Sequence, residues 1–405
     1  MSVFVRLTRQ LAACSGLCLL TLANAQASEE VRIGLLAGLT GPISAMAPAM
    51  TEATRLAVTH VNEQGGIADG QRLRLVVGDS ACSPQNATDA ATKAVNIDGV
   101  AGIVGPSCSG AVLAVAGSVT VPANTVLITP SATSSQVSAL DDRDLVFRTV
   151  ASDDYQGRAL ARGLYEHGPE REVAVTYLSN DYGQGLAEAF REEFEQLGGT
   201  LTHYAAHDGG KASYRSELSR LARSGADTLV VFDYGDGSGL TLVRQALENG
   251  FFERFVGADG MQSDALIRAI GGEHLGDFLI SAPVGDTSQA LERFRAAFSA
   301  EGGNPDGIFT TTSYDATFLL ALALEHQHHA GGELSASLRA VASAPGQPIL
   351  PGEWESAREL LTAGEDIDYQ GAAGSHEFDE NGDVPGHYAL FGVEGEGFVM
   401  LHTLE

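Results

Sequence analysis

The chain has 405 residues, 44% of them hydrophobic, and a formal net charge of −28 at pH 7. The strongly negative electrostatic field of such a protein repels nucleic acid and anionic membrane surfaces, so we do not expect them as partners. The length exceeds one typical hydrophobic core, so we expect two domains. The charged residues are 52 acidic and 24 basic, which fits either high external salt or a general preference for few lysines.

Residues 1–27 predict a secretory signal peptide. Arg6 and Arg9 form a basic segment, residues 11–22 are apolar, and Ala23-Asn24-Ala25 fits a small-x-small cleavage site. Lipidation at Cys14 is the alternative, although the apolar segment before it is short. No later segment reaches the roughly 18 apolar residues of a membrane helix. We therefore expect an exported, soluble protein.

Strands and helices alternate in the first part of the chain that follows. Val31 to Leu39 is an apolar run, and residues 52–62 have helical spacing that ends at Gly65-Gly66. Further strands are predicted over 72–77, 100–104, 126–128 and 145–148, with helices over 84–96 and 110–119. This alternation implies a parallel sheet with helices on both faces.

A second unit of the same kind follows. Its helices are predicted over 156–166, 185–197, 214–224 and 240–249, and its strands over 173–178, 201–205, 228–232 and 255–257. The remaining chain holds a strand over 278–281, helices over 289–300 and 314–328, and a hairpin-like end around Asn381-Gly382-Asp383. It is too short for a third domain, so we expect both domains to share it.

Two strands of the first unit end in clusters of small hydroxyl residues. Gly105-Pro106-Ser107-Cys108-Ser109-Gly110 follows Val104, and Thr129-Pro130-Ser131-Ala132-Thr133 follows Ile128. Ligands of open α/β sheets bind beyond the carboxyl ends of strands, and backbone N–H groups with hydroxyls there hold anions. Because neither cluster contains a basic residue, the pattern predicts a carboxylate rather than a nucleotide triphosphate.

The matching strand ends of the second unit carry two tyrosines and an acid. Tyr182 and Tyr234 follow the strands over 173–178 and 228–232, and Asp259 follows the strand over 255–257. We expect the tyrosines to face a cleft between the domains and Asp259 to meet an ammonium group. An ordinary turn aspartate is the alternative interpretation of Asp259.

Two cysteines, Cys82 and Cys108, remain once the signal peptide is removed. In an oxidising compartment such a pair favours a disulfide, worth roughly 3 to 4 kcal/mol by chain entropy. Free buried thiols or a metal pair are the alternatives. The bridge would brace the hydroxyl cluster that contains Cys108.

Catalytic and metal motifs are weak. Gly105-x-Ser107-x-Ser109 lacks the second glycine of a nucleophile elbow, and Gly235-x-Gly237-x-Gly239 is not a dinucleotide-binding fingerprint. The cluster from His326 to His329 suits a solvated helix end. The segment from Asp379 to Asp383 departs from a calcium loop, and a β-turn explains it better. We expect no enzymatic activity, no metal and no cofactor.

Short motifs also occur in one order along nearly the whole chain. They include Thr40-Gly41-Pro42, Cys82-Ser83-Pro84, Phe147-Arg148-Thr149, Asp153, Gln156-Gly157, Asp181-Tyr182-Gly183 and the run 378–383. With the two hydroxyl clusters, they resemble the periplasmic branched-chain amino acid (leucine/isoleucine/valine) binding proteins. The resemblance implies a type I periplasmic binding fold, with two doubly wound parallel-sheet lobes joined by a three-strand hinge. It implies an N-terminal lobe of 28–149 plus about 283–375, and a C-terminal lobe of 150–282 plus about 376–405.

The resemblance also implies roles for the residues of the first lobe. Ser109 and Thr133 would hold the ligand α-carboxylate, with Ser107 beside them. Ser131 would accept a hydrogen bond from the α-ammonium through its carbonyl. In the side-chain pocket, Met46 falls where an aromatic residue is common, and Phe309 is retained.

In the second lobe, Tyr182 would cover the ligand and Tyr234 would stand at the family's second tyrosine. Asp259 would pair with the ammonium, at a position where glutamate is usual. We therefore expect a monomeric periplasmic protein that closes over a small, branched-chain or aliphatic amino acid and delivers it to the membrane permease of an ABC importer. Because Met46 and Asp259 depart from the family pattern, an amide, urea or another carboxylate is the alternative ligand. A sensor component is the alternative role.

Overall fold

A computed structural model describes residues 30–285 and 287–404. The predicted signal peptide, with Cys14, lies outside the described residues. Within these ranges, none of the helices combines the length and the apolar character that a membrane crossing requires.

The N-terminal lobe is built on five parallel strands in the order β2-β1-β3-β4-β5. The strands are β1 Glu30–Ala37, β2 Arg72–Asp79, β3 Ile103–Val104, β4 Leu127–Thr129 and β5 Val146–Arg148. The central strands are short apolar runs buried on both faces, as a sheet covered by helices requires. Their carboxyl ends share one edge, so the two hydroxyl clusters meet there.

The helices of this lobe come from two distant parts of the chain. They are α1 Ala47–Glu63, α2 Pro84–Lys93, α3 Ser109–Val115 and α4 Ser135–Ser138, then α10 Gln289–Ala300, α11 Thr310–Ala330, α12 Leu334–Ala342 and α13 Trp354–Ala363. Helix α1 begins before the predicted start at residue 52, because Pro48 is tolerated in a first turn. Trp354 is fully buried and donates from Nε1 to the Gly66 carbonyl at 2.9 Å, so it packs the core of this lobe rather than the cleft.

The C-terminal lobe contains a seven-stranded sheet in the order β14-β13-β10-β9-β8-β6-β7. Its strands are β6 Glu172–Leu178, β7 Thr200–His207, β8 Thr228–Phe232, β9 Arg254–Gly257, β10 Phe278–Val284, β13 His387–Glu394 and β14 Gly397–Leu404. Its helices are α5 Asp153–His167, α6 Asp181–Gln196, α7 Arg215–Ala222, α8 Ser238–Glu248 and α9 Asp264–Ile270. Strands β13 and β14 run antiparallel, so this sheet is mixed and departs from the all-parallel expectation.

The chain passes between the lobes three times over the described residues, after β5, after β10 and after the short strand pair β11 Gln347–Ile349 and β12 Ile367–Tyr369. The third passage docks on β5, where the Arg148 N–H donates to the Gly382 carbonyl at 3.0 Å. The hairpin predicted around Asn381 is wrong. That segment is a turn closed by Gly382 N–H and the Asp379 carbonyl at 3.1 Å, and the hairpin turn lies at Gly395-Glu396.

Candidate ligand-binding cleft

A cavity of about 20 Å³ lies between the lobes, at the carboxyl ends of both sheets. Every predicted site residue except Thr133 lines it. The lining consists of Ile43, Met46, Met50, Ser107, Cys108, Ser109, Ser131, Tyr182, Tyr234, Asp259, Gly260 and Phe309. The set divides into hydroxyls on the N-terminal lobe, an acid with two tyrosines on the C-terminal lobe, and an apolar group.

The hydroxyl clusters are tied to one another by hydrogen bonds. Ser131 Oγ donates to the Ser107 carbonyl at 2.9 Å, and Thr129 Oγ1 donates to the Pro106 carbonyl at 2.7 Å. Ser109 Oγ accepts from Ser134 N–H at 3.3 Å. The loops after β3 and β4 therefore form one preorganised surface without a basic side chain.

The predicted disulfide between Cys82 and Cys108 is confirmed, with the two Cα atoms 5.4 Å apart. Cys108 directly precedes α3 and lines the cavity. The bridge thus fastens the loop after β3 to the loop after β2, and it holds Ser107 and Ser109 in place.

The opposite wall is formed by Tyr182, Tyr234 and Asp259. The two tyrosine rings stack with centroids 5.1 Å apart and planes 18° apart. Tyr182 Oη donates to Asp259 Oδ1 at 2.8 Å and accepts from Gly260 N–H at 3.0 Å. Burial raises the pKa of Asp259 to about 6, against the opposing effect of the Tyr182 hydrogen bond.

A buried network of hydrogen-bonded polar side chains supports Tyr234. Asp233 accepts from Tyr234 N–H at 2.6 Å through Oδ1 and from His207 Nε2 at 2.8 Å through Oδ2. Thr176 Oγ1 lies 2.8 Å from His207 Nδ1. These side chains lie on β6, on β7 and just after β8, so only the fold brings them together and no local sequence pattern links them.

Asp153 is a second buried acid that the sequence analysis left without a role. It is fully buried at the start of α5, and neither carboxylate oxygen makes a hydrogen bond of good geometry with the described residues. Burial, followed by the nearby charge of Asp259, raises its pKa well above the usual range. The sequence feature that could have indicated a role for Asp153 is its position just after β5, at the same sheet edge as the hydroxyl clusters.

Thr133 lies beside Asp153 rather than in the cavity wall. Its backbone carbonyl accepts from Asp153 N–H at 2.8 Å. Its buried hydroxyl lies near the Asp153 carboxyl but, among the described residues, lacks a well-directed hydrogen bond.

The lobes also contact each other directly through two hydrogen bonds. Ala45 N–H donates to Asp236 Oδ2 at 3.2 Å, and Ser134 Oγ donates to the Asp181 carbonyl at 3.1 Å. A cavity of about 20 Å³ has room for about one water molecule. This conformer is therefore closed, and it must rearrange to admit a larger solute.

The remaining motifs have structural explanations. His326 Nδ1 lies 2.9 Å from Ser337 Oγ, and His329 Nε2 lies 3.1 Å from Glu325 Oε1. Across residues 30–285 and 287–404, no group of three potential metal ligands comes together. The residues that line the cavity contain no histidine to activate Ser107 or Ser109.

Two lobes, a hinge of several strands and a cleft lined from both sides define a two-lobed solute-binding protein. The model of the Periplasmic binding protein family matches residues 30–394. The chain therefore belongs to this family of binding proteins, and the fold expected from the sequence is confirmed.

Individual relatives agree with this assignment. The leucine-, isoleucine-, valine-, threonine- and alanine-binding protein of Pseudomonas aeruginosa is 29% identical over 323 residues, which is 78% of this chain and 83% of the relative. The branched-chain amino acid transporter substrate binding protein from Streptococcus pneumoniae, solved with isoleucine, is 22% identical with a TM-score of 0.76 over 92% of this chain and all of that one. An ABC transporter solute-binding protein from R. palustris, solved with benzoate, is 18% identical with a TM-score of 0.74 over 93% of this chain and 96% of that one.

Proposed function

We propose that this protein captures a small aliphatic amino acid, of the branched-chain class, in the periplasm and delivers it to the permease of an ABC importer. The observation that carries the proposal is the composition of the cleft. Hydroxyls without a basic group line one wall, two buried acids stand near the other, and an apolar surface completes the cavity. A zwitterion with an apolar side chain complements all three.

The hydroxyl wall would bind the α-carboxylate. Ser107 and Ser109 are preorganised by the hydrogen bonds and the disulfide around them. The Thr133 hydroxyl is buried near the same surface and can donate to the ligand. Neutral donors suit a carboxylate because they stabilise it without attracting a polyanion.

The two acids would bind the α-ammonium. Asp259 and Asp153 are both buried, and their mutual repulsion favours a cation between them. The Ser131 carbonyl would add an acceptor, and Tyr182 would close over the group. An ammonium has three donors, so it can satisfy several of these acceptors at once.

The apolar group would set the side-chain preference. Ile43, Met46, Met50 and Phe309 contribute hydrocarbon and thioether surface, which favours an aliphatic side chain over a charged one. Exposing such a side chain to water is unfavourable, so its burial stabilises the closed form of the two lobes.

The relatives support delivery to a permease, since one similar structure is that of a transporter substrate binding protein. The predicted signal peptide and the acidic surface fit an exported, monomeric protein. The lobe boundaries of the sequence analysis remain our proposal for which parts move as units. A sensor role would use the same cleft and a separate signalling partner.

An aromatic carboxylate is the second candidate ligand, since a structural neighbour was solved with benzoate. Two buried acids disfavour it, because a monoanion would leave both without a cation. Amides and urea would lack both the carboxylate and the charge that the acids complement.

A panel of solutes tests the proposal. Thermal shift and calorimetry on the mature protein should show binding of leucine, isoleucine and valine, with Tm rising by mass action. Benzoate, acetamide and urea should leave Tm unchanged. If one of these three raises Tm and the amino acids do not, the proposed ligand is wrong.

A further inference from the structure

A second cavity, which we call the side chamber, adjoins the ligand pocket. Its volume is about 140 Å³, against about 20 Å³ for the pocket. It lies between the start of α1, the segment before α11 and the start of α9, so both lobes contribute. Its lining includes Met46, Asp264, Ala265, Arg268, Asn304 and Asp306.

Met46 alone, among the described residues, lines both cavities. A methionine side chain is unbranched and adapts its shape easily, which makes it a movable partition. Met50, one turn later on α1, also lines the pocket, so two of the five methionines of the chain stand at this wall. The wall of the pocket that Met46 and Met50 form can therefore change shape.

To hold a side chain longer than that of leucine, the pocket must extend through one of its walls, and the wall at Met46 is easier to displace than the wall at Phe309. Phe309 separates the pocket from a cavity of only about 40 Å³ at the hinge. Its ring is bulky and its backbone is fixed at a φ of 59° where α11 begins. Displacing Met46 instead joins the pocket to the side chamber, whose volume is more than three times that of the hinge cavity.

The side chamber presents hydrogen-bond donors. Asn304 Oδ1 accepts from Asp306 N–H at 3.2 Å, and its NH₂ group makes no hydrogen bond within the described residues. Arg268 likewise makes no ion pair in the described part of the chain, whereas Asp264 adds a carboxylate to the lining. Arg268, Asn304 and Asp264 are exposed, so the chamber opens to solvent. Asp306 is already paired with Arg295 at 2.9 Å. The Asn304 amide and the Arg268 guanidinium thus offer donors to a hydrogen-bond acceptor. The carboxylates of the lining and the strongly acidic protein disfavour an acceptor with a full negative charge.

We propose that the ligand site extends past Met46 into the side chamber, and that it admits amino acids whose long, unbranched side chains end in a neutral acceptor such as a carbonyl. This inference rests on the proposed function, because it keeps the same sites for the carboxylate and the ammonium. The two differ in the ligand side chain: this inference adds long, unbranched side chains to the branched-chain ones of the proposed function.

Citrulline, norleucine and leucine are the probes, measured by calorimetry on the mature protein. Citrulline carries a ureido carbonyl at the end of a long side chain, and norleucine has a long side chain without one. We expect a citrulline Kd within about tenfold of that for leucine, and weaker binding of norleucine than of citrulline.

Ala265→Leu fills the chamber without touching the pocket, and leucine is well tolerated in the helix. It should weaken citrulline binding by about tenfold or more and leucine binding by less than about threefold. Ala269→Leu, at an exposed position of the same helix, is the matched control and should change neither.

Leucine binding without measurable citrulline binding would overturn the inference and leave the proposed function intact. Equal losses of both ligands in Ala265→Leu would also overturn it. Failure of every amino acid to bind would overturn the proposed function as well. Tm of each variant without ligand separates a folding defect from a filled chamber.

Discussion

Tyr182 donates its hydroxyl hydrogen to Asp259 across a distance of 2.8 Å, between residues that the sequence separates by 77 positions. The same hydroxyl oxygen accepts from Gly260 N–H. One side chain therefore orients the carboxylate and satisfies the backbone that follows it. The bond favours the ionised acid, but burial outweighs it and leaves the pKa of Asp259 at about 6.

Amino acid binding should weaken in mild acid. The ammonium requires an ionised Asp259, whereas the carboxyl of the free protein takes up a proton as the pH falls through about 6. The ligand's own groups do not titrate between pH 5 and pH 7. We expect the Kd for leucine to rise about tenfold from pH 7 to pH 5, measured by calorimetry in buffers of equal ionic strength. A flat profile would contradict the role of Asp259.

Asp259→Asn should weaken leucine binding by at least about tenfold, because it removes the charge that faces the ammonium. It should also stabilise the ligand-free protein at pH 7. A buried acid with a raised pKa favours its protonated form, so it costs stability as the pH rises from about 4 to 6, on the order of 3 kcal/mol in all. Denaturant unfolding of the wild type and of Asp259→Asn at pH 4 and pH 7 measures most of this difference.

Asp277→Asn, an exposed acid of the same lobe, is the control for Asp259→Asn and should alter neither affinity nor stability. Near-normal leucine affinity in Asp259→Asn would identify Asp259 as a turn residue, which was the alternative interpretation of the sequence.

The carboxyl edge of each sheet could be predicted from sequence, because short apolar strands followed by polar loops reveal where strands end. Ser109, Ser131, Tyr182 and Asp259 all follow that rule. Asp153 obeys it too, yet an acid in the first turn of a helix is ordinarily explained by the helix dipole. Only its complete burial distinguishes it from such a residue.

Features that depend on distant contacts were harder to predict. Asn381-Gly382 has the composition of a hairpin turn, but it is held against β5 by Arg148, more than two hundred residues earlier. The actual hairpin turn at Gly395-Glu396 gave an equally plausible local signal. Met50 and Ile43 are apolar residues near a helix start, and nothing local separates them from core residues.

Arg148 links the hinge to the ligand site, and its loss should impair both. It is fully buried, donates from Nε to Asp383 Oδ1 at 2.6 Å and donates from Nη1 to the Thr133 carbonyl at 2.9 Å. Arg148→Met leaves Asp383 without its cationic partner, although the Ser138 hydroxyl still donates to it, and this should cost about 3 to 5 kcal/mol of unfolding free energy. Arg295→Met, which breaks an exposed ion pair, should cost no more than about 1 kcal/mol.

Denaturant unfolding compares the two arginine variants. Equal losses would show that the Arg148 pair is no more important than a surface pair. Where Arg148→Met remains folded, leucine affinity should also fall, because the Thr133 segment loses its support.

Asp236 should favour lobe closure without touching the ligand. Its Oδ2 accepts from Ala45 N–H across the interface at 3.2 Å, and Oδ1 accepts from the Ser263 hydroxyl within its own lobe. Opening the cleft breaks the first of these bonds and keeps the second. Asp236→Ala should therefore destabilise the closed form by about 1 kcal/mol, which weakens leucine binding about fivefold.

Small-angle X-ray scattering would detect this shift as a larger radius of gyration in the ligand-free variant, and saturating leucine should restore the compact form by mass action. Asp208→Ala, at an exposed position of the same lobe, should match the wild type in both states. If Asp236→Ala also matches it in radius and affinity, the contact with Ala45 adds nothing to closure. In that case the ligand would supply the closing free energy through contacts with the two walls of the pocket.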